Sequence, residues 1–247
     1  MREEAGHTLK SSLQHVLRLD LLNEDQTQGS DIRLTTEVAG SKLGGCVNFF
    51  KTALDLSTKI VPVAEWELAL SARGGVLLPL PGFPGRTASI SAASPSIGTA
   101  SLAGPTTRHR SSICDRFFLG GSTDVRGFKL NGIGPRVGND ALGGDAFWAA
   151  AVHLYSPFPY KPWRDRFGSA LRTHIFANAG SLARMQAGGL RGTMDVLLAD
   201  PSASYGIGLC IQTALCTLEI NYCQPVTARA SDLQSPGLNV GVGLSFL

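Results

Sequence analysis

The chain has 247 residues, of which 43% are apolar and only 17% charged, with a net charge of +3; an average soluble domain carries roughly 25% charged residues. So small a net charge, with no dense Lys/Arg run, argues against a nucleic-acid partner. The 29 glycines and frequent Ser and Thr fit strands and turns better than a helical core.

The opening MREEAGHTLKSS lacks the apolar centre of a secretory signal and is too acidic for an Arg-rich transit peptide. Nine segments then alternate with a period of two, as strands with unlike faces do. In the first, Leu9, Leu13, Leu17 and Leu19 share a face opposite Lys10, Ser12, Gln14 and Arg18. The second sets Ile32, Leu34 and Val38 against Asp31, Arg33, Thr35 and Glu37. The third sets Phe50, Leu54, Leu56 and Ile60 against Lys51, Asp55 and Lys59. The fourth is the longest: Trp66, Leu68, Leu70, Ala72, Val76 and Leu78 oppose Glu65, Glu67, Ser71 and Arg73.

Residues 81–114 interrupt the pattern with a Pro/Ser/Gly/Ala-rich stretch of low complexity, which reads as a loop. The alternation resumes at 145–156 with Trp148, Ala150, Val152 and Leu154. Near 170–179 it places Leu171, Thr173, Ile175 and Ala177 opposite Arg172, His174 and Asn178. A second loop is expected over 181–202. The seventh strand (203–212) carries Tyr205, Ile207, Leu209 and Ile211 on one face. The eighth (214–223) opposes Leu218, Ile220 and Tyr222 to Thr217, Glu219 and Asn221. The last aligns Leu238, Val240, Val242, Leu244 and Phe246 against Asn239, Gly241, Gly243 and Ser245.

Either a soluble sandwich or a membrane barrel accounts for such alternation. Strand length favours the barrel, because several segments run well past the ~5–6 residues of a soluble strand and reach the ~9–11 that cross a bilayer. The uncharged stretch 202–218 is too short and too Gly-interrupted for a membrane helix, which needs ~20 residues. The chain is thus expected to span as an all-β, antiparallel transmembrane barrel wall.

No catalytic or metal constellation emerges. The five histidines, His7, His15, His109, His153 and His174, lie on separate segments. The five cysteines, Cys46, Cys114, Cys210, Cys216 and Cys223, show no CxxC spacing. GxSxG, Walker and dinucleotide fingerprints are missing, and neither an enzyme nor a cofactor is expected.

The segment DRFFLGGSTDVRGFKLNGIGP (115–135) is irregular, Gly-rich and marked by Phe117, Phe118 and Arg126. With LGGDAFWAAAVHLYSPFP (142–159), THIFANAGSL (173–182) and LEINYCQP (218–225), it resembles the barrel-assembly family, the BamA-like bacterial surface antigen superfamily. Bacterial BamA, chloroplast translocon barrels and the barrel of the mitochondrial sorting and assembly machinery (SAM) belong to it. The wording is most similar to the animal mitochondrial branch, over almost all of the chain outside 81–112.

The resemblance implies that residues 1–247 are the C-terminal part of the barrel domain, about nine strands of sixteen, without the N-terminal polypeptide-transport-associated domain. It implies that Val125, Arg126, Gly127 and Phe128 form the tip of a loop folded into the lumen. His153 and Asn178 then stand on the inner wall where bacterial relatives place carboxylates, so the Arg anchor is expected to be weaker or shared with Asp145. Asn239, Gly241, Leu244 and Phe246 match the β-signal of mitochondrial outer-membrane barrels.

The implied function is insertion and assembly of β-barrel precursors in the mitochondrial outer membrane. Its implied partners are the lipid, the precursors, metaxin-type SAM subunits and a cristae-organising complex. A structural anchor for cristae complexes, a passive pore and a non-functional truncated form are the alternatives.

Overall fold

The computed structural model describes residues 9–23, 28–40, 44–45, 47–63, 65–80, 111–186, 188–213 and 216–244. His7, Cys46, His109, Phe246 and most of the low-complexity stretch lie outside them.

The alternating segments form one antiparallel sheet of nine long strands, joined as neighbours in chain order. These are β1 (Ser12–Asp20), β2 (Gly29–Ala39), β3 (Phe49–Val63), β4 (Trp66–Pro79), β7 (Ala146–Pro157), β8 (Leu171–Ala183), β9 (Ser202–Gln212), β10 (Cys216–Thr227) and β11 (Gly237–Leu244). The two-residue strands β5 (Arg136–Val137) and β6 (Asp140–Ala141) make a small hairpin inside the long β4–β7 connection. Among the described residues β1 and β11 are the edge strands of this sheet and do not pair with each other.

Register turns the alternation into two chemically distinct walls, because a strand's side chains point to opposite faces in turn. One row runs unbroken over seven strands as Ile60, Leu68, Leu154, Ile175, Ile207, Tyr222 and Leu238. The adjacent row, pointing the other way, reads Glu67, Tyr155, His174, Gly208, Asn221 and Asn239. The apolar wall is broadly exposed, with Val152, Ile175, Ile207, Tyr222 and Val240 each open on the surface. That is the arrangement of a sheet whose outer face meets hydrocarbon and whose inner face is wet.

Three features depart from the expectation. Residues 111–114 are not part of a featureless loop: Ser111 is buried and Ile113–Asp115 form a 3-10 turn. Within 181–202, β8 continues to Ala183 and a helix, α2 (Gly189–Ala199), follows. Its eleven residues include Gly189 and Gly192, too weak a sequence to announce a helix alone; tertiary packing stabilises it. A second short helix, α1 (Lys161–Phe167), joins β7 to β8, with a Pro in its first turn.

Candidate functional site

The β4–β7 connection folds back against the inner wall. At the rim, Phe117 pairs through its backbone with Gly144, and its ring lies 4.7 Å from that of Phe147. Lys51 donates to the Asp115 carbonyl at 2.7 Å and sits 4.4 Å over the Phe117 ring. Lys10 bridges Glu37 at 2.8 Å and the buried Asp115 at 2.9 Å, tying the loop to β2. On the other side of the sheet, Lys129 and Gly132 exchange backbone hydrogen bonds with Leu233, and Ser235 N–H donates to Gly127 O. Asp232 accepts from Gly134 N–H at 2.9 Å and from the Ser202 hydroxyl. The loop is therefore held from both flanks, by early strands and by the β10–β11 connection.

Between these clamps Leu119, Val125, Phe128 and Ile133 are almost fully buried, packed with Ala149 and Leu182 of the wall. An apolar plug of this kind stabilises by roughly 1.5–3 kcal/mol for each large side chain removed from water. The tip is Val125-Arg126-Gly127-Phe128. Gly127 has φ +84°, and a side chain there would stand 3.1 Å from Ser204. The Ser204 hydroxyl, with a single proton to donate, stands against both the Arg126 carbonyl and, at 2.9 Å, Asn178 Oδ1.

Arg126 is 7% exposed, and its guanidinium holds Glu219 on β10 through Nη2 at 2.6 Å and Nε at 3.2 Å. Its Cζ also lies 5.3 Å from the Phe176 ring centroid. Glu219 accepts a further hydrogen bond from Asn221 Nδ2 at 3.1 Å. Asn221 Oδ1 meets His174 Nδ1 at 3.0 Å, and His174 Nε2 meets His153 Nδ1 at 3.0 Å. One polar chain thus runs from the loop tip across β10 and β8 to β7. Desolvating a guanidinium is costly unless a carboxylate and hydrogen bonds compensate, and here both do.

Of the residues named from the sequence, Val125, Arg126, His153 and Asn178 line one hollow of about 270 Å³, together with Arg73 and Asp124, which form an ion pair. The carboxylate that meets Arg126 comes from neither of those strands. Asp145 is occupied elsewhere: it accepts from the Ser111 hydroxyl and, at 2.9 Å, from Met185 N–H. Glu219 was missed as the partner although a signal existed. It is the sole acidic residue in strands β8 to β11, and its parity places it inward.

At the last strand, Asn239 Nδ2 donates to the carbonyls of Ser235 at 3.0 Å and Gly237 at 3.3 Å, closing the turn before β11. Gly241 faces Ser122 of the loop. Leu244 ends the described strand.

No group of three His, Cys, Asp or Glu side chains that could hold a metal occurs among the described residues. Among the described residues the site consists of a wall, a latched loop and the strand β11, which pairs with β10 alone.

A nine-stranded antiparallel meander, apolar without and polar within, with a connection folded onto its inner face, defines the wall of an outer-membrane-type β-barrel. The family model described as the Omp85 superfamily domain matches residues 1–246, and the chain belongs to that superfamily. It is 38% identical over 251 aligned residues to Sorting and assembly machinery component 50 homolog B of Xenopus laevis, covering 100% of this chain and 48% of that protein. Against the human Sorting and assembly machinery component 50 homolog the identity is 34%, again over 100% of this chain and 48% of the relative. The chain thus spans about half the length of the curated relatives it matches. The crystal structure of BamA from Haemophilus ducreyi lacking POTRA domains 1–3 superposes with a TM-score of 0.70, at 18% identity, over 95% of this chain and 42% of that one. That likeness establishes the shared fold.

Proposed function

We propose that this chain is barrel wall of a machine that inserts and assembles β-barrel precursors in the mitochondrial outer membrane. Its relatives are named for sorting and assembly, not for an enzymatic reaction. The observation that carries the reading is the coincidence, in one sheet, of a loop latched to β10 through Arg126 and Glu219 and a neighbouring β11 whose far edge has no partner among the described residues.

No bond-making chemistry is needed. An exposed strand edge offers backbone N–H and C=O groups on which an incoming strand can form its ladder. Burial of the newcomer's apolar face in lipid then drives folding. In this scheme the Arg126 latch keeps β10 rigid, so that β11 alone yields to the arriving strand. Asn239, Gly241 and Leu244, with Phe246 beyond the described residues, serve as the β-signal of the chain itself. The membrane lipid and precursor barrels are the direct partners; metaxin-type subunits and a cristae-organising complex follow from the resemblance alone.

The test is photocrosslinking from Leu238, Val240 and Val242 during precursor import. Adducts with incoming precursors at these positions, and none from Val152 in mid-wall, are expected. Precursor assembly that proceeds without any β11 adduct would overturn the reading.

A further inference from the structure

The helix α2 lies on the outer wall, not over the lumen. Its buried Leu197 packs with Ala146 and Ala183, and against Val76 and Trp148, and all four of those strand residues have outward parity. The outward Trp148 donates its indole N–H to the Leu197 carbonyl at 3.1 Å. Arg229, from the β10–β11 connection, reaches the Val196 carbonyl at 2.7 Å and the Asp200 carbonyl at 2.8 Å, closing the helix's C-terminal end. Thr193, fully buried, accepts from Gln186 N–H at 3.0 Å. The helix is thus fixed in place by its packing and by a set of polar contacts.

Fixed this way, it turns a second face outward. Leu190, Met194 and Leu198 follow at i, i+4 and i+8 and are 47%, 45% and 65% exposed. Arg191 and Asp195, the two charged residues of the helix, fall on the arc beside them, away from Leu197 and Thr193. The helix thus has three faces: one on the barrel wall, one apolar and exposed, and one charged and exposed. The wall it rests on is the one that meets hydrocarbon, and the stripe continues that surface.

We infer that α2 is an interfacial helix, lying in the plane of the membrane against the outside of the barrel with Leu190, Met194 and Leu198 in the acyl-chain boundary. The occupant of the stripe is bilayer lipid, not a protein subunit. The inference rests on the reading of the sheet as a membrane wall.

It is tested in membranes holding the protein together with a phosphatidylcholine that carries a diazirine in its acyl chain. After photolysis, adducts are mapped by peptide sequencing. Adducts on Met194 and Leu198 at the level of the wall residues Ile207 and Val152, with background labelling at Asp195 and at the inward Ser204, are expected. Labelling of Ile207 and Val152 without Met194 or Leu198 overturns the interfacial helix and leaves the wall intact. Labelling of none of these positions overturns the membrane wall itself. A photoreactive methionine analogue at Met194 that captures a polypeptide instead of lipid also overturns the inference.

Discussion

The Arg126 guanidinium at the tip of an inward-folded loop meets the Glu219 carboxylate of β10 at 2.6 Å, ninety-three positions away in sequence. The two side chains are 8% and 14% exposed. Removing one partner of a buried pair strands the other charge and costs about 3–5 kcal/mol, whereas replacing both with apolar groups is often close to neutral. Arg126→Ala and Glu219→Ala should each destabilise on that scale, and Arg126→Met with Glu219→Leu should recover most of the loss. Urea unfolding of the membrane-reconstituted protein reads this directly. Independent, additive losses in the cycle would show that the pair is not a latch. If it is one, Arg126→Ala should impair precursor assembly more than membrane residence, which carbonate extraction reports separately.

Gly127 is the backbone requirement of the same tip. With φ +84° and only 3.1 Å to Ser204, Gly127→Ala meets both a disfavoured conformation and a crowded wall. A non-Gly residue held there costs on the order of 1–3 kcal/mol. We expect Gly127→Ala to release the loop, seen as protease cleavage between Ser122 and Lys129 that the parent resists. Adding Ser204→Ala should not restore protection, because its Cβ and the backbone angle both remain. Full protection in the single variant would contradict this account.

The strands were legible because register in a two-faced wall is dictated by the period of two, and the apolar residues named from the sequence that lie within the described strands share one face. What escaped were features created by tertiary contact. Phe176 stands on the polar face because Gly206 opposite leaves room for its ring. The helix α2 depends on Trp148 and Arg229, remote from it in sequence. The resemblance points to His153, Asn178 and Asp145 as the partners of Arg126, and none of them supplies its carboxylate. The loop instead passes over β8 and β9 to reach β10; composition and parity mark Glu219 as an inward acid, but the path that brings Arg126 to it is set by tertiary contacts.

The histidine pair has a fixed polarity. Asn221 Nδ2 donates to the Glu219 carboxylate, so Asn221 Oδ1 faces His174 and accepts from it. His174 therefore carries its proton on Nδ1, which in the neutral pair leaves Nε2 to accept from His153 Nδ1–H at 3.0 Å. Nitrogen NMR of histidine-labelled protein in membranes should find both rings protonated at Nδ1 and bare at Nε2. Asn221→Ala should scramble the His174 tautomer while leaving His153 inward. An Nε2–H form of His174 in the parent would reverse the assigned chain.

The free edges carry the last prediction. Among the described residues, the nine-residue β1 and eight-residue β11 each pair on one side only. An unpaired edge leaves roughly half its backbone N–H and C=O groups without partners, each costing several kcal/mol in lipid. Curling β1 round to β11 would remove both edges, but a nine-strand barrel has a narrow bore, and the inward loop with its Leu119, Phe128 and Ile133 would have to fit within it. Expressed by itself, the chain should therefore pair edge to edge with further copies or aggregate. Cysteine pairs placed across β1 and β11 of neighbouring copies should crosslink in detergent. A compact, protease-resistant monomer with heat-modifiable gel migration would show instead that the loop yields and the nine strands close on themselves.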